Sequence, residues 1–473
     1  MIANLQPYPE YKESGSHWLA RVPSHWEVRN LRTLIRPRNE RNRSDLPLLS
    51  VAREKGVFVR SLTDADENHN VIPEDLSNYK VARAGNLVIN KMKAWQGSMG
   101  IAPCDGIVSP AYFVFDFAIS NRAFGQALLR SKPYVAHFGQ ASDGVRVGQW
   151  DLTIPGMRQI PVLVPPPSEQ AAMVRFLDYA NGRLERAIRA KRKVIALLHE
   201  QKQAIIHRAV TRGLDPIVPI KPSGIPWLGD IPKHWEVRPL KQLLARMDYG
   251  TSENGRGEGR VRMLTMGHIR DGKILFPQKG SLDAVPPGLL LEKNDLLFNR
   301  TNSPELVGKV GLFGSEASDE ITFASYLVRL RVRSEHSPFW LNYLLNSTGF
   351  WSYARSQALV SLHQANLNST RYGQMVLPVP STRTEEDAIV DLIRSKAGGI
   401  ERAVSRLERE IELLREYRTR LVADVVTGKL DVREAAGHLP APELRQARLP
   451  AEPLAPAPEP DESPEPETEE TEA

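Results

Sequence analysis

Cysteine is almost missing. Cys104 stands alone among 473 residues, which excludes an internal disulfide framework or a cysteine zinc site and suits a reducing compartment. Long apolar runs are missing too. None approaches the roughly 20 residues that cross a bilayer, and the opening stretch MIANLQPYPEYKESG holds no apolar segment of the secretory kind. A cytoplasmic protein without membrane contact is expected. Motifs for chemistry are equally scarce. There is no G-x-x-x-x-G-K-[ST] phosphate loop and no G-x-G-x-x-G opening a helix. GRGEGR at 255–260 is glycine-rich, but no helix with an apolar face follows it closely, so it reads as a flexible basic loop. The histidines form no H-x-x-x-H pair, and neither TNSPEL (301–306) nor VPPGL (285–289) has the Pro-Pro-aromatic order of amino-group DNA methyltransferases. A binding protein is favoured over an enzyme.

What is present begins with charge. Residues 440–473 hold ten acids against two arginines, a net of −8, which leaves +14 on the rest of a chain whose total is +6. The tail is rich in Pro and Glu and cannot build a core, so disorder is expected there. A body at +14 suits a polyanionic partner, nucleic acid before membrane. The length allows two or three domains, each with its own core.

The chain is also written twice. PSHWEVRNL (23–31) returns as PKHWEVRPL (232–240), an offset of 209. Ser14-Gly15 and Trp18-Leu19 match Ser223-Gly224 and Trp227-Leu228 at the same offset, as GNLVINK (85–91) matches NDLLFNR (294–300). Later the offset grows to 216: LERAI (184–188) faces IERAV (400–404), and AVTRGLD (209–215) faces VVTGKLD (425–431). Such self-similarity marks a tandem duplication.

Each copy divides into a globular and a helical part. Short apolar runs bounded by Gly, Asn and Pro read as strands in the globular parts: PLLSV, NLVIN and AYFVFDF in the first, VRMLTM, DLLFN and YLVRLRV in the second. Helices are expected at 121–132 and 339–347. In the helical parts apolar residues recur in steps of three and four, with Ser168 and Thr384 as expected N-caps. Gly182 and Gly398-Gly399 mark expected bends, and Gly213 and Gly428 stand where C-terminal caps belong. Ile188, Ile195, Val404 and Ile411 widen the stripe beyond a two-helix seam, which implies further packing neighbours. The expected fold class is α+β, with two mixed α/β globular parts separated by two long antiparallel, coiled-coil-like helices in pseudo-two-fold repeat. The expected boundaries are 1–165, 166–214, 215–380, 381–433 and a disordered acidic tail, 434–473. The HWEVR phrase is expected at the strand or turn that opens each domain, with Trp26 and Trp235 against the helix base.

Two divergent globular parts alternating with two like helices, the helices opening near PPPSEQ and closing in AVTRGLD and VVTGKLD, resemble the specificity subunit of type I restriction–modification systems. The resemblance covers residues 14–433. The second helix departs from it, opening RTEED where the pattern has Glu-Glu-Gln, and the acidic tail is additional. The resemblance implies two target-recognition domains, each reading half of a bipartite site in double-stranded DNA. It also implies helices that dock two modification subunits and, through the complex, restriction or translocase subunits. S-adenosylmethionine, ATP and Mg2+ then belong to partner subunits, and this chain holds no cofactor or metal and is no enzyme.

Candidate base readers follow the shared NLVINK/DLLFNR strand: Lys91, Lys93, Trp95 and Gln96 in the first domain, Arg300, Thr301 and Asn302 in the second. A strand end turning into a polar, basic loop suits base-edge contacts. Arg146, Gln149, His363 and Gln364 occupy a second corresponding pair of loops. Arg53, Arg256, Arg260 and Arg270 are candidate phosphate contacts. Ile188, Ile195, Val404 and Ile411 are the expected subunit interface. Two other readings stay open: a coiled-coil scaffold whose globular ends bind proteins, and a DNA enzyme with an unrecognised site.

Overall fold

The structure is a computed structural model. It describes residues 5–16, 18–60, 75–146, 149–253, 255, 259–277, 281–314, 320–361 and 364–440, the side chains of 145, 146 and 149 excepted. Residues up to Glu185 together with those from Arg415 onward form one compact unit, and Arg186–Leu414 forms the other. Among the described residues, no helix is long and apolar enough to cross a membrane.

In the first unit, the shared NLVIN segment becomes the strand Leu87–Asn90, buried along its whole length. It lies inside a four-stranded antiparallel sheet, between Tyr112–Phe117 and Met99–Ile101, with Ile35–Pro37 at the far edge. Successive side chains of a strand point to opposite faces. Leu87 and Ile89 accordingly join the large cluster that includes Phe124, Tyr134 and Phe176. Val88 joins a smaller one with Leu49, Val51 and Val57. The second unit repeats this in a six-stranded sheet. There Leu296 and Phe298 enter the main core while Leu297 enters a second cluster with Leu264 and Phe323. A strand covered on both faces needs a continuous apolar run, which is why this segment stayed recognisable between the copies.

The HWEVR phrase forms the strands Glu27–Asn30 and Glu236–Pro239. Each pairs antiparallel with the last strand of its globular part, Pro161–Val164 or Val376–Val379. Both tryptophans are fully buried. Trp26 Nε1 donates to Glu169 at 2.9 Å, and His25 Nε2 meets the same carboxylate at 2.6 Å. Trp235 Nε1 donates to Glu385 at 2.8 Å, with His234 Nε2 at 3.0 Å. Each tryptophan ring also abuts a glycine that closes the opposite long helix. A Cβ on Gly428 would stand 2.9 Å from Trp26, and one on Gly213 would stand 3.2 Å from Trp235. Both glycines have φ near +75°, at 76° and 74°, so conformation and space demand the same residue. The repeated phrase is thus a clamp. It holds the first turn of one helix and the last turn of the other in one core.

The long helices run Pro167–Arg212 and Arg383–Val426, unbroken at Gly182 and at Gly398-Gly399. Ser168 lies inside the first turn instead of capping it, because Pro167, with no N–H to satisfy, already begins the helix. In the second copy Thr382, not Thr384, accepts from the Glu385 amide through its hydroxyl. Within the second unit, Lys191 pairs with Glu410 and Lys202 with Glu401. Numbers rise on one helix as they fall on the other, so the segments are antiparallel.

The expected tail boundary at 434 is corrected. Arg433–Gly437 forms a short helix, and Ala436 and Leu439 are buried in the first unit's core. Arg175 donates to the Leu439 carbonyl at 2.7 Å. Apolar residues at 436 and 439 anchor a segment that the acidic composition had absorbed into the tail. Residues 441–473 lie outside the described residues.

Candidate nucleic-acid interface

In the first unit the two candidate loops lie side by side. Residues after Leu87–Asn90 form a turn and the short 3-10 helix Ala94–Gln96, against the hairpin Ser142–Arg146/Gln149–Leu152. Lys91 Nζ pairs with Asp151 at 2.9 Å, and the Leu152 amide donates to the Lys91 carbonyl. Trp95 lies 5.2 Å from Trp150, tilted, and its Nε1 donates to the Met92 carbonyl. Lys93 is exposed. Arg146 and Gln149 are cross-strand partners in the hairpin, their side chains outside the described residues. Gln96 turns elsewhere. It joins Arg53, Lys132, Asp178 and Arg418 around a cleft of about 870 Å³ beside the long-helix ends. Arg53 sits in a turn braced by Arg130, which donates to the carbonyls of Arg53 and Glu54.

The second unit makes the same juxtaposition with different residues. Thr301–Asn302 is a strand, paired with Gln364–Asn366, which pairs in turn with Leu359–Ser361. Thr301 Oγ1 accepts from Asn366 Nδ2 at 3.0 Å, and Asn302 Oδ1 accepts from the Ser303 amide. These two side chains therefore build the platform. Gln364 is exposed on it. The Arg300 guanidinium lies 5.0 Å from the Tyr249 ring, a cation–π distance, and its buried Nε has no partner among the described residues. His363 lies outside the described residues, as does Arg256. Arg260 pairs with Glu320 at 2.8 Å on the surface, and Arg270 is exposed on a short strand at the end of the six-stranded sheet.

Sequence reasoning missed Trp150, Asp151, Tyr249 and Leu359, because each meets the loops only through tertiary pairing. Trp150 alone carried a signal, as a rare aromatic next to the chosen Gln149.

The residues expected at a subunit interface are largely covered within the chain. Ile188, Val404 and Ile411 are buried within the chain itself and Ile195 is half-buried. The extra width of the apolar stripe is consumed by the chain's own packing. The exposed large apolar residues on the helices are others: Val194 and Leu197 on the first, Leu413 and Tyr417 on the second.

No family model matches the chain. Over 205 residues it is 22% identical to a protein of Methanocaldococcus jannaschii named as the MjaX specificity subunit of a type I restriction enzyme, covering 42% of this chain and 47% of that one. The chain thus spans about half the length of the curated relative it matches. In fold it is similar to a chain solved in a study of complex assembly and conformational transition of the type I R-M system. The TM-score is 0.62 at 15% identity, over 86% of this chain and 99% of the other. The HsdS subunit of Thermoanaerobacter tengcongensis is a further structural neighbour, at TM-score 0.45 and 16% identity over 86% of this chain and 98% of that one. The resemblance is to type I specificity subunits. In sequence it is carried by the Methanocaldococcus jannaschii protein, while the chain from the type I study is similar in fold.

Proposed function

We propose that this chain is the DNA-addressing subunit of a type I restriction–modification complex and carries out no chemistry itself. One observation carries the reading. Both units bring a post-strand loop and a β-hairpin to one edge of the same scaffold, and the side chains on that edge differ between copies. Common architecture with different edges suits two readers of unlike half-sites, hence an asymmetric bipartite target. A two-stranded ribbon and polar loop ends suit the major groove, where Arg, Lys, Asn and Gln distinguish base edges. Among the described residues, Lys93 and Gln364 are the exposed base-reading candidates, while Arg53, Arg260 and Arg270 suit phosphates. The +14 body supplies the general attraction to DNA.

The helices dock two modification subunits, and restriction or translocase subunits join through the complex. Val194, Leu197 and Leu413 offer the docking surface, since the stripe with Ile188, Val404 and Ile411 is already covered. S-adenosylmethionine, ATP and Mg2+ act in those partners, in the cytoplasm and in defence against phage.

The test is genome-wide mapping of methylated adenines in the source strain with and without this gene. One bipartite, asymmetric motif is expected to lose its methylation on deletion and regain it on complementation. An unchanged methylation pattern would defeat the reading.

A further inference from the structure

The hairpin Leu359–Ser361/Gln364–Asn366 has neither face fully packed. Leu359 is 70% exposed and Val360 62% exposed. Consecutive strand residues point to opposite faces, so the outer strand stands clear of its domain on both sides. It is also the edge of its three-stranded sheet. Edge strands are commonly protected by charge or proline, and this one presents Leu, Val and Ser.

Register sorts the two faces. Leu359 pairs with Asn366 and Ser361 with Gln364, while Thr301 pairs with Asn366 from the other side. Leu359, Ser361, Gln364, Asn366 and Thr301 therefore share one face. Thr301 and Asn366 are bonded to each other, which leaves Gln364 and Ser361 as exposed hydrogen-bonding groups with Leu359 beside them. Val360 shares the opposite face with Asn302 and the buried Ala365. Cations stand at the base of the ribbon: Arg371 donates to the Gln357 carbonyl, and Arg300 lies at the strand end.

We propose that Leu359 is a specificity-determining residue that contacts the 5-methyl group of a thymine in the half-site read by the second domain. The inference rests on the DNA-reading function above. The major groove admits a two-stranded ribbon, and the thymine methyl is the one apolar group displayed on its base edges. On the same face the exposed Gln364 is of the residue type that pairs with adenine. Leu359 and Gln364 are diagonal neighbours, about 7–8 Å apart for such pairs. That distance is about two base-pair steps at 3.4 Å each. An apolar side chain among hydrogen-bonding ones gives this face a means to separate thymine from cytosine.

The test uses the full chain reconstituted with its modification subunits and duplexes carrying the mapped site. Each thymine of the second domain's half-site is replaced in turn by deoxyuridine, which removes only the methyl group. At one position wild type is expected to lose about four-fold in affinity, the worth of one buried methyl. Leu359→Ala is expected to bind both duplexes alike, with wild-type affinity for the deoxyuridine form. Val360→Ala, on the opposite face, should keep the discrimination. No sensitive thymine, or a loss that persists in Leu359→Ala, would overturn the assignment while site binding itself survives. If the wild-type complex ignores the mapped site, the reading beneath fails and this one with it.

Discussion

Position 170 in the first long helix is glutamine, and its repeat partner 216 residues on is Glu386. Both are fully buried. Gln170 Oε1 accepts from the Asn121 amide, and Glu386 accepts from the amide of Ser337, the residue equivalent to Asn121. Where Gln170 donates to the Pro165 carbonyl, Glu386 instead meets His336 Nδ1 at 2.7 Å. Burial pushes the Glu386 carboxyl above its ordinary value and nearby Asp387 adds to this, against the bonds from His336 and Ser337. An acid raised in the folded state favours folding most in its neutral form. That contribution is complete below the ordinary glutamate value of about 4.3 and is lost as pH climbs through the raised one. Glu386→Gln is therefore expected to raise the Tm of the full chain by a few degrees at pH 8, the gain fading towards pH 4 to 5. Calorimetry across that range checks it, and a lower Tm for the variant at pH 8 would show the carboxylate–imidazole pair to be net stabilising. The departure at RTEED was visible in the sequence. Its compensating histidine was not, because His336 lies 50 residues earlier and only the fold brings it there.

Elements were legible to different degrees, each for a physical reason. The central strands are continuous apolar runs and the long helices follow a three-or-four pattern, and both survive duplication, so strand Leu296–Asn299 and helix Arg383–Val426 fall where their apolar residues predict. The clamp was legible as a repeated phrase but not as a mechanism, since Glu169 and Gly428 are distant in sequence from Trp26. The hairpins were legible only as loops. Their strands are short, and Gln364–Asn366, itself polar, also pairs with Thr301–Asn302, which lies far earlier in the chain. The width of the helical stripe did not name its neighbours, because periodicity shows that a face is covered and not by what. Exposure differs along the helix: Leu197 is 53% exposed, Ile188 only 7%. Leu197→Asp is expected to weaken capture of modification subunits at least ten-fold in a pull-down, with little change in Tm. Ile188→Asp should instead lower stability by several degrees, as a charge forced into a packed seam does. Full capture by a folded Leu197→Asp chain would move the docking surface off this face.

For the whole molecule, the proposed DNA-reading function gives the duplication a consequence beyond economy of design. Each globular part closes with its own strand pairing, Glu27–Asn30 with Pro161–Val164 and Glu236–Pro239 with Val376–Val379. The segment between those strands can diverge at its exposed edge while its buried central strand and its contacts with the long helices remain. Two readers attached in this way should be separable in specificity. The direct measurement is an exchange of residues 26–164 for the matching segment of a relative with a different target, followed by mapping of methylated sites across the genome. The account predicts that one half-site changes to the relative's, while the other half-site and the spacer between them stay as they were. A change in both half-sites, or in neither with methylation intact, would contradict it.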